Sequence, residues 1–167
     1  MARRRCKAMP PSGLLLSGLL GALACQNAWA ILQSCGVSTA PVSFGTYNPL
    51  AGTPLTATGT VTVTCTVTGI GLFESWTIAL SQGNSGHFNS RSMLNGGSVL
   101  SYNLYTSAAY TNVWGDGSGS TSLVSSPLLL LQVGTASFNY PVYGVIPAGQ
   151  DAAAGTFLDS IVVTLNY

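Results

Sequence analysis

Nine consecutive residues, Thr60 to Thr68, alternate without a fault. Val61, Val63, Cys65 and Val67 face one way, and Thr60, Thr62, Thr64, Thr66 and Thr68 face the other. A period of two is that of a strand buried on one side only, and β-branched residues suit a pleated, half-buried surface. This segment is the clearest core strand in the chain. Its apolar face requires a second layer to cover it.

Other segments repeat the pattern. Val37–Tyr47 is extended, with Val42 and Phe44 on one side, and Pro41 places it at an edge because proline cannot donate to a ladder. Asn48 to Pro54 is turn chemistry. Trp76–Leu80 turns Trp76, Ile78 and Leu80 inward and ends at Gln82-Gly83-Asn84-Ser85-Gly86; Val99–Tyr105 turns Leu100, Tyr102 and Leu104 inward. Gly115 to Ser120 reads as a flexible loop. Leu123–Val133 contains Leu128, Leu129, Leu130 and Leu131 in a row, a run that periodicity cannot assign. A strand buried on both faces is preferred to an exposed patch, because most such runs are core. Phe138–Ile146 is a further strand, and Ile161–Tyr167 closes the chain with Ile161, Val163, Leu165 and Tyr167 on one side and Val162, Thr164 and Asn166 on the other. No stretch has a helical period. The expectation is an all-β, immunoglobulin-like sandwich. A final core strand with nothing after it leaves a neighbouring edge uncovered, and an open edge beside an apolar face is a template for another chain.

The first thirty residues read as a cleaved secretory signal. Arg3, Arg4, Arg5 and Lys7 precede the apolar run Leu14–Leu23, and Ala28-Trp29-Ala30 has the small-x-small pattern of a cleavage site. The run is about half of the ~20 residues that a membrane span needs. Ala22-Leu23-Ala24 before Cys25 is a second, faintly lipobox-like candidate, but cleavage there leaves three cysteines. Cleavage after Ala30 leaves Cys35 and Cys65, an even pair that reads as one disulfide in an oxidising compartment. Cys65 lies on the apolar face, so the bond pins the first strand near the end of the second. Closing this loop of about 31 residues is worth roughly 3–4 kcal/mol on chain-entropy grounds.

Removing thirty of 167 residues leaves one domain of 137, residues 31–167, with Arg91 as its single basic residue against Glu74, Asp116, Asp151 and Asp159, a formal charge of −3. Such a chain has no basic face with which to neutralise phosphates, which excludes nucleic acid as a partner. The apolar content is too high for disorder.

Nothing in the pattern carries chemistry. His87 is the single histidine, set among turn residues, and no Gly-x-Ser-x-Gly elbow presents a nucleophile. The four acids are scattered, so spacing neither supports nor excludes a glycosidase pair; Asp116 and Asp151 suit turns. Asp116-Gly117-Ser118-Gly119 lacks the repeated acids of a calcium loop and the lysine of a phosphate loop. Two cysteines without histidines do not make a zinc site. The expectation is no enzyme, no metal and no cofactor. Tyrosines and tryptophans could line a sugar site, but core and cross-strand packing is the simpler use of them.

Taken together, Val42-Ser43-Phe44-Gly45-Thr46-Tyr47, Gly59 to Cys65, Arg91-Ser92-Met93, Leu100 to Tyr105, Trp114-Gly115-Asp116, Tyr143-Gly144, Pro147 to Gln150, Ala154 to Phe157 and Leu158-Asp159-Ser160 occur in an order that resembles the spore coat protein U domain family, the domain also used by archaic chaperone-usher pilus subunits. The resemblance covers Cys35 to Tyr167. It implies a sandwich lacking its last strand, whose groove is filled by a periplasmic chaperone and then by a strand of the next subunit, with an usher as assembly partner. On that reading Val61, Val63, Ile161, Val163, Leu165 and Tyr167 line the groove. Leu128 to Leu131 and Phe88 are candidate adhesive surface residues. Val145 departs from the family pattern, which tends to carry Arg there. After cleavage at Ala30, Ile31 to Ser34 are too few to donate a strand, which points to a terminal or tip unit, or to a coat protein outside a fibre. Cleavage before Cys25 would leave ten residues and a possible donor. A secreted carbohydrate-binding module or hydrolase is the reading from another class.

Overall fold

The computed structural model describes residues 32–68, 72–127 and 129–167. Its strands are β1 (Leu32–Ala40), β2 (Leu55–Thr68), β3 (Leu72–Glu74), β4 (Thr77–Leu80), β5 (Arg91–Asn95), β6 (Ser98–Tyr105), β7 (Val124–Ser125), β8 (Leu129–Leu131), β9 (Gly134–Ile146) and β10 (Val163–Asn166), with one 3-10 turn at Gly83–Ser85. A five-stranded antiparallel sheet runs β1-β2-β9-β6-β5, a three-stranded sheet runs β10-β4-β7, and β3 pairs with β8. The fold is the immunoglobulin-like sandwich that the alternation predicts.

The alternating segment sits inside the larger sheet, between β1 and β9. β2 pairs with β1 from Leu32↔Thr68 to Ala40↔Thr60 and with β9 from Leu55↔Ile146 to Val67↔Gly134. Val61, Val63, Cys65 and Val67 are buried, as the valine face requires, and they share one core with Leu100, Tyr102, Leu104, Val142 and Ile146. Trp76, Ile78 and Leu80 belong to the same core, and Trp114 is fully buried in it. Burial of this kind stabilises by about 1.5–3 kcal/mol per large apolar side chain. Both tryptophans keep a partner for the indole N–H: Trp76 Nε1 donates to Tyr140 Oη at 2.9 Å and Trp114 Nε1 to the Ile78 carbonyl at 3.0 Å.

Three expectations are corrected. The first strand ends at Ala40 rather than running to Tyr47, because Pro41 has no N–H with which to extend the ladder. The next residues form a strap on the inner face of the large sheet, where Val42 and Phe44 lie over two glycines. A Cβ on Gly59 would stand 2.8 Å from Val42, and one on Gly144 would stand 2.6 Å from both Val42 and Phe44. Only glycine permits that approach. Tyr47 anchors the end of the strap, its hydroxyl donating to the Pro147 carbonyl at 3.1 Å and accepting the Gln150 N–H at 2.7 Å.

Secondly, Leu123–Val133 is not one strand. β7 and β8 belong to different sheets and are separated by Ser126-Pro127, a proline that cannot supply a ladder donor. Leu128 lies outside the described residues, and the surroundings of the Leu129, Leu130 and Leu131 side chains lie outside them as well. Thirdly, Arg91–Asn95 forms β5, a strand that sequence periodicity does not reveal, pairing with β6 from Arg91↔Tyr102 to Asn95↔Ser98.

Candidate functional site

β10 is an edge strand. Val163–Asn166 pairs with β4 from Val163↔Leu80 to Asn166↔Thr77, and no described strand lies on its other side. Ile161, Val163 and Leu165 are half-buried and pack against the core, whereas Val162 and Thr164 are exposed. The unpaired edge therefore borders an apolar surface. Such an edge presents free N–H and C=O groups in a row that an incoming strand can pair with.

Beside that edge lies a cleft of about 290 Å³. One wall is Thr39 to Val42 with Phe44, from the end of β1 and the strap; the other is Ile161 and Val163. Val61, Leu104 and Val142 are among its apolar lining residues, and Phe157 and Leu158 line it as well. Of the residues expected in the groove, Val61, Ile161 and Val163 line this cleft. Val63 shares their inner face but is fully buried, Leu165 packs against the core, and Tyr167 is 57% exposed.

Tyr102 and Asp159 are among the cleft's polar lining residues, with Thr39 and Thr60. The Tyr102 hydroxyl donates to Asp159 Oδ2 at 2.7 Å, and Asp159 Oδ1 accepts the backbone N–H groups of Asn84 and Ser160, both at 2.7 Å. Both carboxylate oxygens are thus engaged in holding loops together. Burial pushes the Tyr102 phenol well above its ordinary value, and the bond to Asp159 pushes the same way.

Behind them lies a group that sequence reasoning does not find. Arg91 has no exposed surface. Its Nε and Nη2 donate to the Ser81 carbonyl at 3.0 and 2.7 Å, Nη2 also donates to the Trp114 carbonyl at 2.7 Å, and Nη1 donates to Asn103 Oδ1 at 2.9 Å. The Phe88 ring lies 5.5 Å from the guanidinium carbon, within cation–π range. Burial lowers the Arg91 pKa, while Tyr102 and Asp159 oppose that shift. The one available signal was the place of Arg91 two residues before the inward Met93.

Phe88 corrects a surface expectation: it is 9% exposed, and its stacking on Arg91 explains why a ring between turn residues is folded under. His87 is exposed, its backbone N–H donating to Ser85 Oγ at 3.1 Å within the turn. Asp116 closes a turn by accepting the Ser118 hydroxyl and N–H at 2.6 and 2.9 Å, which hold its carboxyl below the ordinary value. The environment of the Glu74 side chain lies outside the described residues. Among the described residues no three metal-ligating side chains gather. Cys35 and Cys65 are bonded across directly opposed positions of β1 and β2, at an S–S distance of 2.03 Å.

The family model of the Spore Coat Protein U domain matches residues 22–164. Protein U of Myxococcus xanthus is 32% identical over 145 residues, which cover 79% of this chain and 74% of that protein. Among solved structures, the CsuC-CsuE chaperone–tip adhesion subunit pre-assembly complex, from archaic chaperone-usher Csu pili of Acinetobacter baumannii, contains a chain of similar fold. The TM-score is 0.51 at 20% identity over 81% of this chain and 40% of that one, so this chain spans less than half of its structural neighbour.

Proposed function

This chain belongs to the Spore Coat Protein U domain family, and from that premise we propose that it is a non-catalytic structural subunit of a chaperone-usher surface pilus, completed by a strand from a partner. The observation that carries the proposal is the cleft between the unpaired edge of β10 and the Thr39–Phe44 segment. An inserted strand would pair with β10 through its backbone while alternate side chains enter the cleft. Four such apolar side chains, at roughly 1.5–3 kcal/mol each, match the net stability of a whole domain. A periplasmic chaperone, an usher and neighbouring subunits are the partners this role requires, with a cleaved leader at residues 1–30 and a final location on the cell surface.

A terminal or tip position is the finer form of the proposal. β1 begins at Leu32 and pairs Leu32, Gln33 and Ser34 with Thr68, Val67 and Thr66. Those residues are committed to the subunit's own sheet, so a chain beginning at Ile31 would accept a strand but have none to donate. A secreted coat protein that never enters a fibre is the second reading, favoured by the likeness to Protein U.

The test is thermal unfolding of the exported chain with and without a peptide of alternating apolar residues, and with Val163→Asp as the control. Strong stabilisation of the natural chain, lost in V163D, is expected. A chain that is equally stable with and without peptide would sink the proposal. Co-purification with a fibre, or its absence, separates the pilus from the coat reading.

A further inference from the structure

The outer face of the large sheet, turned away from the cleft, has a second organisation. Thr62 Oγ1 donates to Asn139 Oδ1 at 2.8 Å, Thr64 and Ser137 hydroxyls pair at 2.9 Å, and Thr66 and Thr135 hydroxyls pair at 3.0 Å. These are directly opposed residues of β2 and β9, and they form a ladder of hydroxyl and amide groups. A hydroxyl has one donor and two acceptor sites, so each pair keeps capacity for a further partner. On β1, Ser38, Gly36 and Ser34 continue the face opposite Thr62, Thr64 and Thr66.

At one end of the ladder stand three tyrosines. Tyr143 is opposite Thr58 on one side and Tyr105 on the other. Tyr110, from the loop after β6, lies edge-to-face with both, at 5.6 Å from Tyr105 and 6.5 Å from Tyr143. Its φ is +54°, a region that side chains other than Asn and Asp seldom occupy, and the residue remains 37% exposed. The hydroxyls of Tyr47, Tyr102 and Tyr140 are each bonded to the protein. Those of Tyr105, Tyr110 and Tyr143 make no such bond among the described residues.

No Asp, Glu, Lys or Arg occupies an outward position on β1, β2 or β9, or the loop 106–113. The face is uncharged, so it offers nothing to an ionic partner. A row of hydroxyls along two strands suits an extended ligand better than a small one, which requires a concave pocket. The ladder covers roughly 13 Å of β9 from Thr135 to Asn139, and Pro141, opposite Thr60, separates it from Tyr143, so ladder and tyrosines together extend roughly 27 Å. An extended polymer with hydroxyls along its length and apolar C–H faces on its rings matches both parts.

We propose that this face binds an uncharged polysaccharide, lying along β2 and β9 with one sugar ring stacked on the Tyr105–Tyr110–Tyr143 cluster. The site is independent of the strand-acceptor cleft on the inner face.

The test is retention of the exported full-length chain on insoluble β-1,4-glucan and β-1,3-glucan, with alginate and polystyrene beads as anionic and apolar comparators. Retention on at least one glucan, equal at low and high salt, is the expected result, because no charges are paired. Tyr110→Gly suits the positive φ and removes the ring; it should weaken retention about tenfold, the size of one aromatic contact, without moving the unfolding midpoint. Thr62→Val with Thr64→Val keeps strand propensity while removing two hydroxyls, and should weaken retention as well, which provides a readout even where Y110G fails to fold. Retention on neither glucan, retention confined to alginate or polystyrene, or retention unchanged in the variants that fold would overturn the proposal. So would a change in sedimentation mass in Y110G, which would make the face a contact between two copies of the chain.

Discussion

Replacing Arg91 by Met tests whether the buried guanidinium stabilises the fold through its hydrogen bonds or burdens it through its charge. Met preserves much of the stem that packs beside Phe88 and removes every donor. Asn103 Oδ1 would still accept the Leu104 N–H at 2.9 Å, but the Ser81 and Trp114 carbonyls would lose the donors that Arg91 supplies. A buried acceptor left without a partner costs about 1–3 kcal/mol. The Trp114 bond is fully buried, whereas the Ser81 bonds are partly exposed, so the expected loss is about 2–5 kcal/mol. Against it stands the desolvation of a charge with no carboxylate in direct contact among the described residues, which the variant relieves. We expect the hydrogen bonds to win, because three carbonyl and amide oxygens already surround the guanidinium. Urea unfolding followed by fluorescence of the buried Trp76 and Trp114 reads the difference, with and without a complementing peptide. Arg91→Lys separates fork geometry from charge: a point charge cannot reproduce the divergent donors, so no rescue is expected. A Met variant as stable as the natural chain, or a Lys variant that restores stability, would refute the reasoning.

Reducing the Cys35–Cys65 bond, which spans 30 residues, should cost about 3 kcal/mol on chain-entropy grounds, visible as a lower urea midpoint in dithiothreitol. Gly144→Val should be destabilising, because its side chain would collide with Val42 and Phe44; adding Phe44→Ala should recover part of the loss, whereas strict additivity in the double-mutant cycle would refute the contact. Stability should also fall in alkali. Tyr102 keeps its proton in the folded state beyond the ordinary tyrosine value, so above pH ~10 the unfolded chain binds fewer protons and is favoured. Below that pH this group contributes no slope. Tyr102→Phe should remove its share of the alkaline loss while leaving the Asp159 oxygen short of a donor, at a cost of about 1–3 kcal/mol; an unchanged alkaline limb would contradict the assignment.

Strands whose two faces differ were legible in the sequence. β2 sets apolar against polar residues at a period of two throughout, β6 and β9 do so over part of their length, and the structure buries Val61, Leu100 and Val142 accordingly. Segments whose inward residues are unusual were not. β5 puts a guanidinium where periodicity expects an aliphatic side chain, and what makes Arg91 tolerable comes from Ser81, Asn103 and Trp114, remote in the chain. Phe88 was misread for the same reason: its neighbours are turn residues, but its burial is decided by Arg91. The leucine run had no period to read, and Pro127 divides the segment that contains it. On the cleft, the β10 wall was visible as alternation from Ile161 to Leu165. The opposite wall was not, because it depends on Val42 and Phe44 meeting the bare backbones of Gly59 and Gly144.

That second wall bears on how a strand could enter. Among the described residues β1 is an edge strand of the large sheet, paired on one side only, and its two ends are held differently. Near one end the Cys35–Cys65 bond fixes its register on β2 covalently. At the other end, where Thr39 and Ala40 reach the cleft, the wall continues as an irregular strap that is tied by hydrogen bonds at Tyr47 but held at Val42 and Phe44 by packing, on Gly59 and Gly144 and by the edge contact of Phe44 with Tyr102 at 5.9 Å. Such packing contacts yield more readily than a covalent bond or a long ladder. A strand arriving at β10 would therefore meet a firm surface on β2 and β9 and a yielding wall at Thr39–Phe44. Packing the strap more tightly, through a larger residue at position 42, would be expected to slow insertion more than it weakens the final complex. Peptide association followed by tryptophan fluorescence measures this directly; equal association rates for Val42→Ile and the natural chain would show that the strap does not move.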